Sequence, residues 1–316
     1  MTFDRRTAIP ALAAAGVLWG LTVPLSKLGL EWLGAGWLAF ARFAIAAPVL
    51  AFVARRHLRA ALTPRIAAAG AIGYGLVILL QNAGIERTSV SHAALIVGAV
   101  PVLVALIAAG LGHGRSSALT WGGALVALAG VGLVAGGGGA GTSLAGDLLV
   151  LLSVTGSAAF IVLQPGLLSG RDPAAVTAVQ LGAGALASLP VALVLEGAPP
   201  APAAAGAAIP VLVLALAGTL LAFWLFAWAQ ARVPAELAGA FVNLEPLVGA
   251  LTGVVAFHDA FGPVQALGGL AILAGIALGA MPRPRRAVPP AAPRRDRHAQ
   301  RHHAAPRRAQ RGATRP

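Results

Sequence analysis

The chain has 316 residues, 58% of them apolar and only 10% charged, and it contains no cysteine. A soluble domain carries about a quarter of its residues as Asp, Glu, Lys or Arg, so most of this surface must face something other than water, and disulfides and thiolate metal sites are excluded. The formal charge of +13 sits largely in residues 282–316, which hold eleven Arg against one acid, Asp296. That tail, rather than a folded basic face, makes the chain basic, and nucleic-acid binding is not expected.

A helix needs about 20 mostly apolar residues to cross about 30 Å of hydrocarbon. In chain order such runs fall at 8–28, 33–54, 66–85, 90–111, 118–136, 146–168, 173–195, 207–230, 235–257 and 262–281. Between them lie Arg55-Arg56-His57, Glu86-Arg87, the glycines of 136–141, Gly170-Arg171-Asp172-Pro173 and the Pro/Ala-rich stretch 197–206. The first run follows Arg5-Arg6, as a signal peptide would. It is longer than a signal-peptide core and nine further runs follow it, so it reads as a retained helix. Backbone groups in lipid must pair within their own segment or in a closed barrel, and the alternation of a membrane barrel is missing. The expected fold is an all-α integral membrane protein of about ten transmembrane helices.

Lys and Arg stay preferentially on the cytoplasmic side. With the N-terminus inside, that side receives Arg5, Arg6, Arg55, Arg56, Arg59, Arg65, Arg115, Arg171, Arg232 and the tail, while the outer loops receive only Arg87 beside Glu86. A multi-pass protein of the cell membrane with both termini cytoplasmic is expected. The tail is expected to be disordered, being rich in Pro and Arg and poor in apolar residues, and to attract anionic lipid.

Sliding the chain against itself by 145 positions aligns 73–133 with 218–278 without a gap. It sets Gly73 opposite Gly218, Arg87 opposite Arg232, Pro101 opposite Pro246, His113 opposite His258 and Gly130 opposite Gly275. An offset of 138 serves the earlier part and sets Arg42 opposite Gln180. The expected organisation is a cytoplasmic N-terminus at 1–7, a five-helix repeat at 8–136, a Gly-rich linker at 137–145, a second five-helix repeat at 146–281 and the tail at 282–316. With five spans each, the second repeat enters the membrane upside down. Inverted repeats of this kind build secondary transporters with a site near the midplane between the halves.

Trp19-Gly20 followed by Lys27, Ala41-Arg42-Phe43 and Leu244-Glu245-Pro246, taken in that order, resemble the EamA family of the drug/metabolite transporter superfamily. Residues 91–111 and 262–281 resemble its fourth and last spans, and the likeness covers about 8–281. It implies two inverted repeats and transport of amino acids and related metabolites. His113 and His258 depart from the family's pattern, which has Glu in a Gly-Glu-Arg turn there.

A charge at mid-membrane costs about 2.5–3.5 kcal/mol even on the lenient insertion scale, which makes intramembrane charges the strongest pointers to a site. Arg42 lies near mid-depth of the second run. Glu245 is similarly deep in the ninth and precedes Pro246, whose missing N–H leaves backbone polarity available to a cavity. Lys27 lies near a helix end, where its stem alone would snorkel; the resemblance raises it to a site candidate. Gln81, Asn82, Gln180 and Asn243 suit either ligand hydrogen bonds or helix–helix glue. Trp224 and Trp228 share one face of the eighth run and suit a pocket for an apolar or cationic ligand or an interfacial belt. Trp19 is deeper and the better pocket residue. His113 and His258 read as helix-end histidines.

Catalytic residues, cofactors and metals are not expected: a phosphate loop, a nucleophile elbow and metal-spaced ligands are all missing from the sequence. The expected partners are a small-molecule substrate and the lipid bilayer, with a homodimer left open. The leading function is secondary transport by alternating access, exporting amino acids or related metabolites. Alternatives are a cationic or aromatic drug exporter, a non-transporting membrane subunit and a membrane-embedded lipid enzyme. In the leading reading Arg42 and Glu245 meet the carboxylate and ammonium of a zwitterion beside Trp19, and Glu245 exchanges protons.

Overall fold

The computed structural model describes residues 5–111, 118–136, 141–202, 204–230, 241 and 244–280. The expectations placed on His113, Arg115, Arg232, Asn243, the linker residues 137–140 and the tail from 282 lie outside the described residues, as does the side chain of Trp228.

All regular structure among the described residues is helical. We number the main helices α1 (Thr7–Leu30), α2 (Ala35–Val53), α3 (Pro64–Arg87), α4 (Val90–Gly110), α5 (Ala118–Gly136), α6 (Leu144–Leu168), α7 (Pro173–Glu196), α8 (208–230), α9 (Leu244–Ala256) and α10 (Pro263–Ala280). Seven of them, α1–α4 and α6–α8, are long and apolar enough to cross a membrane; α5, α9 and α10 contribute shorter apolar stretches. Capping chemistry sets several of the starts. Thr63, Ser89 and Asp172 accept a hydrogen bond from the amide three residues on, at 3.3, 3.2 and 2.8 Å. Pro64 and Pro173 then occupy the first turn, where the missing N–H costs nothing.

The surface is inside out relative to a soluble protein. Phe52, Leu186, Leu195 and Leu270 are 69%, 70%, 77% and 63% exposed, while Arg42, His92, Asp147 and Gln180 are buried. Exposing large apolar side chains while burying charges is stable only where the surroundings are hydrocarbon. The chain is a multi-pass membrane protein.

The two halves repeat. The offset of 138 carries α2 (35–53) onto 173–191 within α7, and 145 carries α5 (118–136) onto 263–281, the extent of α10 to within one residue. Packing follows the same exchange: α3 lies against α6 as α1 lies against α8, α2 touches the middle of α8 as α7 touches the middle of α3, and α2–α7, α4–α9 and α5–α10 pair with their own equivalents. The halves are inverted, because the start of α2 meets the end of α7: Gly36 and Trp37 donate their amides to Glu196 Oε1 and Oε2 at 2.6 and 3.1 Å. In α5–α10 the backbones touch. A Cβ on Gly130 would lie 2.6 Å from the Gly268 carbonyl, and one on Gly275 would strike the equivalent carbonyl, that of Gly123. Only glycine permits that approach at both places.

One end of the bundle, opposite residue 5 and here named distal, is closed by polar contacts. Lys27 Nζ donates to the carbonyls of Ile85, Glu86 and Thr88 at 2.8, 3.2 and 2.8 Å. Trp32 and Trp37 donate their indole N–H to the carbonyls of Pro200 and Gly197. The Ser91 amide donates to Asp259 Oδ2 at 2.7 Å.

Candidate substrate site between the repeats

Arg42 sits on α2 with 6% of its surface exposed. Its Nε donates to Thr219 Oγ1 at 2.6 Å, and Thr219 in turn donates to the Leu214 carbonyl five residues back at 3.0 Å. That second bond belongs to a π-helical stretch, Leu214–Leu221, in the middle of α8. The first repeat has the same irregularity at Ala71–Leu76 of α3, and the offset of 145 pairs Tyr74 with Thr219. Widened turns of this kind recur at functional positions because they displace a side chain from the regular helical face. Thr219 of one widened turn bonds Arg42, and Tyr74 of the other meets the neighbouring Phe43 ring.

Aromatic rings continue the wall. Tyr74 meets Phe43, Phe160 and Phe223 edge-on, at centroid distances of 5.9, 5.1 and 6.1 Å. Trp19 meets Phe223 and Phe226 at 5.4 and 4.8 Å. The Arg42 guanidinium stands 5.8 Å from the Phe43 ring centre, within reach of a cation–π contact. These rings come from α1, α2, α3, α6 and α8, so both repeats contribute.

Glu245 occupies the first turn of α9, before Pro246. A Cβ on Gly20 would lie 2.9 Å from the Glu245 carbonyl, so the absent side chain at 20 brings α9 against α1 beside Trp19. Arg42 and Glu245 each lie in the other's electrostatic field. Among the described residues they form no direct ion pair, and the remaining N–H groups of Arg42 and the carboxylate of Glu245 make no hydrogen bonds. Two opposite charges held near each other without contact can accept a molecule carrying the complementary pair.

The structure brings Trp19, Arg42 and Glu245 together and disperses the other sequence candidates. Lys27 is a clamp on the end of α3. Asn82 is buried and donates to the Ala35 carbonyl at 3.1 Å, which joins α3 to the start of α2. Gln180 forms a reciprocal amide pair with Gln164 at 3.0 and 2.9 Å. Gln81 is half-buried, Trp224 is 53% exposed, and His258 lies beyond α9 with φ of 55°. Sequence reasoning passed over Tyr74, Phe160 and Thr219. Tyr74, the chain's lone tyrosine, was signalled by its place one residue after the repeated Gly73, and Thr219 by its place after Gly218. It also passed over a buried pair, His92 and Asp147, on α4 and α6.

The model of the EamA-like transporter family matches residues 6–136 and again 144–281, once for each repeat. The chain belongs to the EamA-like transporter family. As in that family's two-repeat architecture, this EamA-like chain divides where α5 ends and α6 begins. A solved crystal structure of a protein is similar over 87% of this chain and 96% of its own length, at 20% identity and a TM-score of 0.63, which shows a shared fold. No curated protein matches.

Proposed function

We propose that the chain is a secondary transporter of the cell membrane that exports amino acids or related small zwitterionic metabolites by alternating access. The observation that supports this most is the pair of opposite charges, Arg42 and Glu245, set between inverted repeats without closing on each other. A charge buried in a membrane is expensive, and an ion pair left open forgoes most of the compensation available to it. A substrate carboxylate on Arg42 and an ammonium on Glu245 supply that compensation during transport. Proton exchange at Glu245 then links substrate binding to a proton gradient.

The aromatic wall of Trp19, Phe43, Tyr74, Phe160, Phe223 and Phe226 favours a second reading, export of aromatic or cationic compounds, because ring faces attract cations. Liposomes containing the purified chain separate the two. Competition by free amino acids, lost when their carboxylate is esterified, supports the zwitterion reading; equal or stronger competition by the esters supports the cation reading. Absence of any substrate-dependent flux overturns both. In this proposal the distal end faces outward, both termini lie in the cytoplasm and the tail rests on anionic lipid. Single cysteines in this cysteine-free chain test the topology: an impermeant thiol reagent on intact cells should label position 138 and spare position 56.

A further inference from the structure

His92 and Asp147 lie at the distal end, 1% and 2% exposed, with His92 Nδ1 3.2 Å from Asp147 Oδ2. The other carboxylate oxygen accepts the Thr88 hydroxyl, and the Ser89 hydroxyl accepts the His92 amide. Asp147 is thus satisfied on both oxygens, and its partner must be the Nδ1–H of the imidazole. The opposite ring nitrogen, Nε2, is buried with no hydrogen-bond partner among the described residues. The substrate site does not use this pair, and the repeat does not reproduce it: the offsets set Leu237 opposite His92 and Ile9 opposite Asp147.

We propose that His92 is a proton-binding site whose occupancy opens the distal end of the bundle. A neutral imidazole tolerates a buried, unbonded lone pair on Nε2. A proton arriving there creates a charged N–H donor with no acceptor among the described residues, and a buried donor without an acceptor destabilises the arrangement that buries it. Asp147 offsets the charge of the imidazolium but cannot reach Nε2. The protonated form therefore favours an arrangement in which Nε2 meets water or a polar group, and that requires α4 to separate from its neighbours. The sign follows: acid favours the open distal end and alkali the closed one. The charged and titratable groups on the elements packed against α4 are Lys27 on α1, Arg65, Tyr74, Glu86 and Arg87 on α3, Asp147 on α6, Glu245 on α9, and His258 and Asp259 in the following loop. Of these only Asp147 bonds the imidazole. Lys27 and Asp259 instead hold the closed backbone around it, at 85–88 and at Ser91.

Val90 is 1% exposed two residues before His92. In the full chain reconstituted in lipid, a cysteine placed by Val90→Cys reports opening through its alkylation rate, taken relative to Glu31→Cys in the exposed loop so that thiol chemistry cancels. The relative rate should rise about tenfold or more as the pH is lowered, and His92→Gln, which keeps a donor for Asp147 but cannot take up a proton, should flatten it. Asp147→Asn should move the inflection to lower pH. A flat profile in Val90→Cys alone, or an unchanged one after His92→Gln, overturns the proposal. Should His92→Gln not fold, imidazole ring resonances of the otherwise native chain decide the matter: one histidine whose titration midpoint matches the labelling inflection and shifts in Asp147→Asn supports the assignment, and none doing so defeats it. The role in gating rests on the alternating-access reading, but its test does not. A chain that moves no substrate can still show pH-gated labelling, and one that transports can show none.

Discussion

The two repeats share a backbone plan and differ in where they carry charge. At equivalent positions the first repeat has Arg42, Lys27 and His92 where the second has Gln180, Pro165 and Leu237; the second has Glu245 and Asp147 where the first has Val100 and Ile9. At these positions the first copy carries the cations and the second the acids. Arg42 and Gln180 make the contrast sharpest. Both are buried at the same depth of equivalent helices, yet Gln180 is consumed by its reciprocal pair with Gln164. Arg42 is held by one hydroxyl and keeps most of its donors available. The repeated scaffold thus presents two equivalent buried places, one amide satisfied locally and one cation with donors to spare.

The largest effect tests that contrast directly. Arg42→Gln makes α2 resemble α7, and removing one member of a buried charge pair costs about 2–5 kcal/mol. Transport per folded molecule should fall about 30-fold or more, measured as flux into liposomes normalised to monodisperse protein. Adding Gln180→Arg to that variant should not restore it, because position 180 packs its backbone on Gly70 and points its amide at Gln164. Wild-type flux in either variant would remove Arg42 from the site.

Glu245→Gln comes next. Flux driven by a proton gradient should be lost, while substrate binding, followed by protection against thermal unfolding, should be retained in part. Proton-driven flux that persists would place the proton elsewhere, with the buried imidazole of α4 the next position to examine.

Thr219→Val removes the hydroxyl that fixes Arg42 while leaving the charge. A hydrogen bond to a charged group contributes about 1.5–3 kcal/mol, so the concentration for half-maximal flux should rise about tenfold, with the maximal flux less affected. An unchanged value would mean that Arg42 is oriented by packing alone.

The smallest effect concerns the amide pair. Gln180→Leu alone leaves the half-buried Gln164 without its partner and should cost about 1 kcal/mol, whereas Gln164→Leu with Gln180→Leu should be nearly neutral. Thermal melting in lipid distinguishes them, and transport should follow folded protein in both. A double variant as damaged as the single one would give the pair a role beyond mutual satisfaction.

Much of the fold was legible because membrane solvation acts on composition. Runs of apolar residues, the punctuation at Arg55-Arg56-His57 and Gly170-Arg171-Asp172-Pro173, and the two offsets together located most of the helix ends. The candidate site was legible only in its charges. Arg42 and Glu245 stand out because charge in hydrocarbon is costly, and Trp19 stands out by depth. Thr219 and Tyr74 did not, since a threonine or tyrosine inside an apolar helix looks like ordinary packing until the π-helical turns are seen. His92 and Asp147 were hidden for another reason. Each lies within four residues of a helix start, where polar residues are routine, and only tertiary packing shows that these two are buried on each other. Lys27 was legible as a cation but not as a clamp, because its three acceptors are backbone carbonyls about 60 positions away.

The backbone contact between α5 and α10 has a mechanical consequence. Helices separated by interlocking side chains can slide by switching rotamers, as gears skip a tooth. At Gly130 on Gly268 and at Gly275 on Gly123 there are no side chains to switch, and any displacement along the pair drives carbonyls into Cα atoms. The two helices therefore behave as one strut. Because they come from opposite repeats, that strut ties the halves together at one edge and leaves rotation about it, rather than separation across it, as the motion the bundle can make.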